Sequence, residues 1–399
     1  MKTEMELDVL GEFYAMTLDK KYPGAFNITV YLKNEEVDPK VLQQAVDDLV
    51  VRLPYLSGRL TALNKWELSM KSPRIVRHEG EDVFSDYYNQ GDRQHFRVYY
   101  DSQLIKVEVT HVMVDGRSLA AITKALLIRY FELLGVKMSE VKGINCATEP
   151  HPEELEDPFK KFGEAVQPTK PKEKVAKVKP YRNEDAQLSQ IRVVNQTFDL
   201  EKVKREARKI GATINEYLLI QIFLSIAEER QEKGKTEPII IDVPRDNRRF
   251  FPTSSIRNFI GDIRVRMPEV DDLQIMAKEI RAQFSKISAE TVKEELDEML
   301  FASVSLEKMP KFLKKLMVKT VMAGKMKEIT LTFTNLGKIE LPDELTDRIS
   351  HMAFINGATR NQPSIFSCAS FNNTLTLTAT VMSPDKTVEA TMARIESGI

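Results

Sequence analysis

The chain of 399 residues has only two cysteines, one tryptophan and five histidines, and almost no net charge. Each scarcity excludes something. Cys146 and Cys368 show no metal-type spacing and cannot form a disulfide framework, which points to a reduced, cytoplasmic protein held together by its core. The 58 Lys plus Arg against 59 Asp plus Glu leave a formal charge of -1, so no whole-chain field draws a nucleic acid. The opening MKTEMELDVLGEFYAM carries acids where a secretory leader needs a basic start and an apolar run. No stretch approaches the roughly 18 apolar residues of a membrane span, and the best, Leu218 to Ala227, is interrupted by Gln221 and Ser225. No repeat of roughly 20 to 50 residues is visible. What is present is ordinary for a globular chain: 42% hydrophobic and 29% charged residues, with 19 Phe and 11 Tyr to fill a core. The length calls for two lobes or one large domain.

The patterning supports a mixed α/β chain. An alternating run, Phe26 to Leu32, is followed by a helix that Asp38 caps and Pro39 opens, with Val41, Leu42, Ala45, Val46, Leu49 and Val50 on one face. Phe96 to Tyr100 and Leu104 to Thr110 flank a tight turn and predict neighbouring strands. A helix over about Ser118 to Leu134 ends at Gly135, a residue suited to a left-handed cap. The segment VQPTKPKEKVAKVKP predicts a linker, dividing the chain into an N-terminal lobe 1–165, a Lys/Pro-rich linker 166–185 and a C-terminal lobe 186–399. The second lobe opens on strand Ile191 to Phe198 and a helix capped by Asp199. A capping box at Thr213 and Glu216 precedes the apolar helix from Tyr217. Strands are expected at Pro238 to Val243 and Ile329 to Thr334, a helix over Leu273 to Ile287, and a final hairpin around Asn372-Asn373.

The sharpest chemical feature is Thr110-His-Val-Met-Val-Asp-Gly-Arg-Ser118. A His-x-x-x-Asp-Gly string is expected by chance in about 0.01 of chains of this composition. It falls where a strand ends and a helix begins, a place where polar side chains reach a cleft. His111 is a side chain that can accept a proton from an attacking hydroxyl or amine at cellular pH. Asp115 either orients the imidazole or turns away to an arginine and locks the turn. Gly116 suits a tight bend or a close approach. The alternative is a structural histidine beside a helix-capping aspartate. One His and one Asp fall short of a metal site, and Glu108 and the histidines at 78, 95, 151 and 351 add no ligand spacing.

The THVMVDGRSL segment resembles the signature of the chloramphenicol-acetyltransferase-like superfamily, which includes alcohol acyltransferases, plant acyltransferases using CoA thioesters, and condensation domains of peptide synthetases. The stretches VDPKVLQQAVDDLVVRLPYLSGRL, VPRDNRRFFPTSSIRNF and LTFTNLGKIELP resemble its alcohol acetyltransferase branch, in the right order. The resemblance implies two lobes, each a mixed sheet flanked by helices, around a central tunnel. It implies an acyltransferase moving an acyl group from acyl-CoA, or an acyl-carrier thioester, to an alcohol or amine, with no bound cofactor and no metal. His111 would be the general base. Asp115 and Gly116 would be structural, with Arg248 as the partner of Asp115 and Arg245 behind it. Thr334 would be the oxyanion donor, with Thr332 and Asn335 as substrate-binding residues, although threonines there also simply suit a strand. Asn335-Leu336-Gly337 reads as a turn that ends the strand. A non-catalytic binder of an acyl chain or carrier protein is the alternative, and a monomer is expected. Thr110 stands where condensation domains carry a second His. The Asp-Phe-Gly-Trp-Gly signature of plant members is absent, and Asn258-Phe-Ile-Gly-Asp262 does not reproduce it. The general-base reading requires that the ring of His111 face an inner passage.

Pro310 to Lys327, PKFLKKLMVKTVMAGKMK, is basic, Met-rich and amphipathic. It fits a peripheral membrane contact or an acyl-pocket lining. The commoner arrangement for such a helix packs its apolar side inward and solvates its lysines.

Overall fold

The computed structural model describes residues 4–18, 24–62, 65–69, 71–78, 94–167, 179–182, 191–359, 361–382 and 386–399. Of the expected linker 166–185, residues 168–178 and 183–185 lie outside the described residues. The first half runs β1 (Glu4–Glu6), α1 (Val9–Thr17), β2 (Ala25–Leu32), α2 (Pro39–Arg52), β3 (Gly58–Ala62), β4 (Lys65–Leu68), β5 (Val76–Arg77), β6 (Phe96–Asp101), β7 (Leu104–Thr110), α3 (Gly116–Leu133) and α4 (Pro158–Phe162). The second opens with β8 (Arg192–Asp199), α5 (Leu200–Lys209), α6 (Ile214–Glu232), β9 (Ile240–Asp246), β10 (Ile260–Arg266) and α7 (Leu273–Phe284). It closes with α8 (Ala289–Glu307), α9 (Lys311–Met326), β11 (Leu331–Lys338), α10 (Asp343–Thr346), β12 (Ile349–Asn356), β13 (Ser364–Phe371), β14 (Thr374–Val381) and α11 (Thr387–Gly398).

Local chemistry explains the boundaries. Asp38, Asp115, Asp199, Thr213 and Asp272 each accept a backbone N–H in the first turn of their helices. Gly135 takes a φ of 89° just past α3, where any side chain would be strained. The strands assemble into a five-stranded sheet ordered β12-β2-β7-β6-β5, a six-stranded sheet ordered β10-β9-β11-β13-β14-β8, and a small sheet β1-β4-β3. The six-stranded sheet is mixed, because β11 runs parallel to both β9 and β13. One apolar core lies on the first sheet under α2 and α3, and a second on the larger sheet under α6, α7 and α11. A third cluster, with Val9, Leu10, Phe159, Phe259 and Leu296, ties α1 and α4 to α8 and the segment before β10.

Two features position the site. β12 belongs to the second half of the chain yet pairs antiparallel with β2, from Ile349 opposite Leu32 to Asn356 opposite Phe26. β11 pairs with β9 only through Leu331 and Thr332, then continues along β13 to Lys338. The strand does not end at Asn335: the register shifts between Asn335 and Lys338, Gly337 has a φ of 80°, and its N–H donates to Asn335 Oδ1 at 2.8 Å. The turn-forming residues make a bulge that bends the strand and lets it carry on.

Candidate active site

The site forms where β7 hands over to α3. His111 follows the last residue of β7, and its backbone N–H donates to the Gly24 carbonyl ahead of β2 at 3.5 Å. Four residues on, Asp115 caps α3 through Oδ1, which accepts the Ser118 N–H at 2.9 Å. Gly116 is demanded by packing: a Cβ there would sit 2.9 Å from Cζ of Phe354 on β12 and 3.5 Å from Cδ1 of Leu336 on β11. The motif is thereby pressed against two strands of the second half.

Asp115 turns away from the imidazole. Its Oδ2 accepts from Arg248 Nη1 at 2.8 Å and from the Phe259 N–H at 2.8 Å, and the side chain is wholly buried. Burial alone raises a carboxyl, but the Arg248 charge, the Arg248 hydrogen bond and the two backbone donors win, holding Asp115 below the usual carboxylate range. Arg248 also reaches Asp246, the Ser118 hydroxyl and the carbonyls of Ser255 and Arg257. Its guanidinium therefore ties the turn before α3 to the segment joining β9 and β10. Arg245 points elsewhere, to Glu295 and Asn247.

The ring of His111 lies between two others. Tyr14 of α1 stacks on one side at 4.8 Å and 21°, and Phe26 of β2 on the other at 4.2 Å and 33°. The residue stays partly exposed, whereas Nδ1 is buried with no hydrogen-bond partner among the described residues. Burial pushes the imidazole down to about 4, against the opposing charge of Asp115 and the neighbouring Asn258 side chain and Val114 backbone. It is neutral at physiological pH. Asn258 is fully buried and donates through Nδ2 to the His111 carbonyl at 3.0 Å and to Asp8 at 3.2 Å, while its Oδ1 also lacks a partner among the described residues. Asp8, the buried cap of α1, is raised to about 7, by burial first and then by Asp157, with Arg257 opposing.

The strand residues divide. Thr332 is buried, with its hydroxyl between Asp242 Oδ2 at 3.3 Å and the Gln362 amide. Asn335 is engaged in the bulge and reaches Asn215 at 3.5 Å. Thr334 is half-buried on the stretch of β11 that has left β9, two residues before the Leu336 that faces Gly116. Nothing in the sequence assigns Tyr14, Phe26, Asn258 or Asp8 to the site, because none lies in the motif and their relation to His111 is purely tertiary. Among the described residues, no group of three or more His, Cys, Asp or Glu is placed to hold a metal ion. No single described helix is long and apolar enough to cross a membrane.

No protein-family model matches the chain, and no curated protein matches it by sequence. Solved structures do match in shape. The polyketide synthase associated protein 5 from Mycobacterium tuberculosis superposes with a TM-score of 0.67 at 15% identity, over 98% of this chain and 96% of that one. TRI101 of F. graminearum, solved with coenzyme A and T-2 mycotoxin, gives 0.62 at 10% identity over 99% and 97%. The condensation domain of the Monacolin K polyketide synthase MokA gives 0.58 at 12% over 99% and 96%. End to end, this chain shares the mixed α/β fold of these proteins, a polyketide synthase associated protein, TRI101 and a condensation domain.

Proposed function

We propose that the protein is an acyltransferase that moves an acyl group from a CoA thioester to an alcohol or amine, with His111 as general base. The observation that carries this reading is the division of labour in the motif: Asp115 is committed to Arg248, leaving a neutral imidazole at the end of β7. With Nδ1 buried, Nε2 is the nitrogen that meets substrate. The acceptor hydroxyl or amine gives its proton to Nε2 as its oxygen or nitrogen attacks the thioester carbonyl. The resulting oxyanion is held by a donor, for which Thr334 is the candidate, a contribution of about 3 kcal/mol when well placed. The C–S bond then breaks, and the thiolate takes the proton back from the imidazolium. This reading supports acyl-CoA as co-substrate and needs a passage that brings both reactants to the edge of the ring.

The test is release of free thiol from a panel of acyl-CoA thioesters and small alcohols and amines. His111→Ala is expected to abolish release, losing only the two ring contacts in stability, about 0.5–1.5 kcal/mol each. Asp115→Ala removes the cap of α3 and one of the two carboxylates on Arg248, which keeps Asp246, and is expected to cost about 2–4 kcal/mol, visible as a lowered melting temperature. A second reading, a non-catalytic binder of acyl chains or acyl-carrier protein, is favoured by the two aromatic rings that enclose the imidazole. Thermal stabilisation by long-chain acyl-CoA, equal in wild type and His111→Ala and without thiol release, would establish that reading and refute the enzyme.

A further inference from the structure

Helix α9 packs inside out. Its two buried residues are Lys314 and Val318. Lys314 reaches Glu12 of α1 at 2.6 Å in a buried ion pair, and Val318 meets Met16 of α1 and Leu306 of α8. At 100° per residue these positions fix the inward side, and much of the remaining surface carries Phe312, Leu313, Leu316, Met317 and Val321. All five are exposed, Phe312 by 71% and Leu316 by 62%. Single exposed apolar residues are ordinary, but five on one helix form a patch of the kind that marks an interaction surface. From Lys308 to Lys327 the chain has seven lysines and neither Asp nor Glu, although the whole molecule carries a formal charge of -1. Every one of those lysines except Lys314 is exposed.

We propose that α9 docks the protein on the surface of an anionic lipid bilayer, with Phe312 and Leu316 entering the acyl boundary and Lys311, Lys315 and Lys319 meeting the phosphates of the headgroups. Charge complementarity selects this occupant. A second copy of the chain would bring the same lysines against the same face, and like charges would oppose the contact. The convex ridge of one helix suits a fluid surface that reshapes around it. Underneath, α9 rests on α1, which holds Tyr14 against His111, so the docked face lies one helix away from the imidazole.

The experiment sediments the full chain with vesicles of phosphatidylcholine alone and of phosphatidylcholine with phosphatidylglycerol, and it needs no assay of activity. Wild type is expected to sediment with the anionic vesicles and to be released by salt. Lys315→Glu with Lys319→Glu is expected to weaken binding at least about 25-fold, from about fivefold per lysine. Phe312→Ser with Leu316→Ser is expected to weaken it roughly tenfold per residue. Val51→Ser, which alters another strongly exposed apolar side chain on α2, is expected to bind as wild type. All the replaced side chains are exposed, so circular dichroism melts should match. Absence of vesicle binding by wild type, or equal binding by all variants, would overturn the proposal. So would a dimer or an acidic protein partner lost in the Phe312/Leu316 variant when no vesicle binding is seen.

Discussion

What happens at His111 is decided by the cost of charging a ring held between Tyr14 and Phe26. A free histidine titrates near 6.5, whereas burial brings this one to about 4. Between those values the folded protein keeps the proton-accepting form, so kcat/KM for acyl transfer is expected to stay level from about pH 8 to about pH 5, with its acid limb near 4. A limb near 6.5 in the pH profile would mean that water reaches the ring freely. Stability follows a related sign. Over the same interval an unfolded chain binds the proton and the folded chain does not, so the contribution of His111 is complete above about 6.5 and is lost as pH falls toward 4. His95, lowered to about 3 by burial and then by Arg97, acts in the same direction. Asp8 acts against them: raised from 3.8 to about 7, it favours the folded state at low pH, and that contribution is lost as pH rises through 7. The orphaned Nδ1 of His111 and Oδ1 of Asn258 are complementary groups, donor and acceptor once Nε2 is the free nitrogen.

Among the elements, β11 carries the donor side of the site. It is held on both edges only as far as Thr332, and Thr332 has its hydroxyl engaged by Asp242 and Gln362. Thr334 lies beyond that point, on the stretch that approaches the start of α3. Thr334→Val keeps the shape and removes the hydroxyl, and is expected to lower kcat about 100-fold with KM little changed. Thr332→Val is expected to act mainly on stability, by leaving Asp242 without its donor. Steady-state kinetics beside thermal melts separate the two, and an unchanged kcat in Thr334→Val would remove it from the reaction. The sequence revealed elements whose signals are local. The caps at Asp38, Asp199 and Thr213, the strands around Asp101, and the hairpin through Asn372 at a φ of 50° all lie within a few residues of their cause. The helical form of α9 was legible from its period, but its orientation was not, since Glu12 lies 302 residues from the lysine it buries. β12 carries no period-two signal, because Met352 to Asn356 are buried on both faces, which erases the alternation that betrays a strand. Within the site, the His, Asp and Gly of the motif stood out through their spacing, whereas Tyr14 and Phe26 are aromatic residues indistinguishable from core until folding stacks them on His111.

At the scale of the whole molecule, neither half of the chain owns the site. α1, β2 and β7 supply Tyr14, Phe26, His111 and Asp115, while the second half supplies Arg248, Asn258, the Phe259 N–H, Leu336 and Phe354. Phe354 stands edge-on to Phe26 at 6.2 Å, so β12 braces the ring that braces the imidazole. A fragment of residues 1–165 would keep the motif yet leave Asp115 without Arg248 and the Phe259 N–H, and would uncover the whole β2 edge that β12 satisfies. An unpaired edge of that length invites association with other chains. Expressed alone, the fragment is expected to aggregate or to melt without a cooperative transition. Co-expressed with residues 186–399, it is expected to give a soluble complex with one transition, because β12 then returns to its place beside β2 and Arg248 to Asp115. The measurement is size-exclusion chromatography followed by calorimetry, and a monomeric 1–165 fragment with a sharp melt of its own would show that the first sheet is complete without the strand lent by the second half.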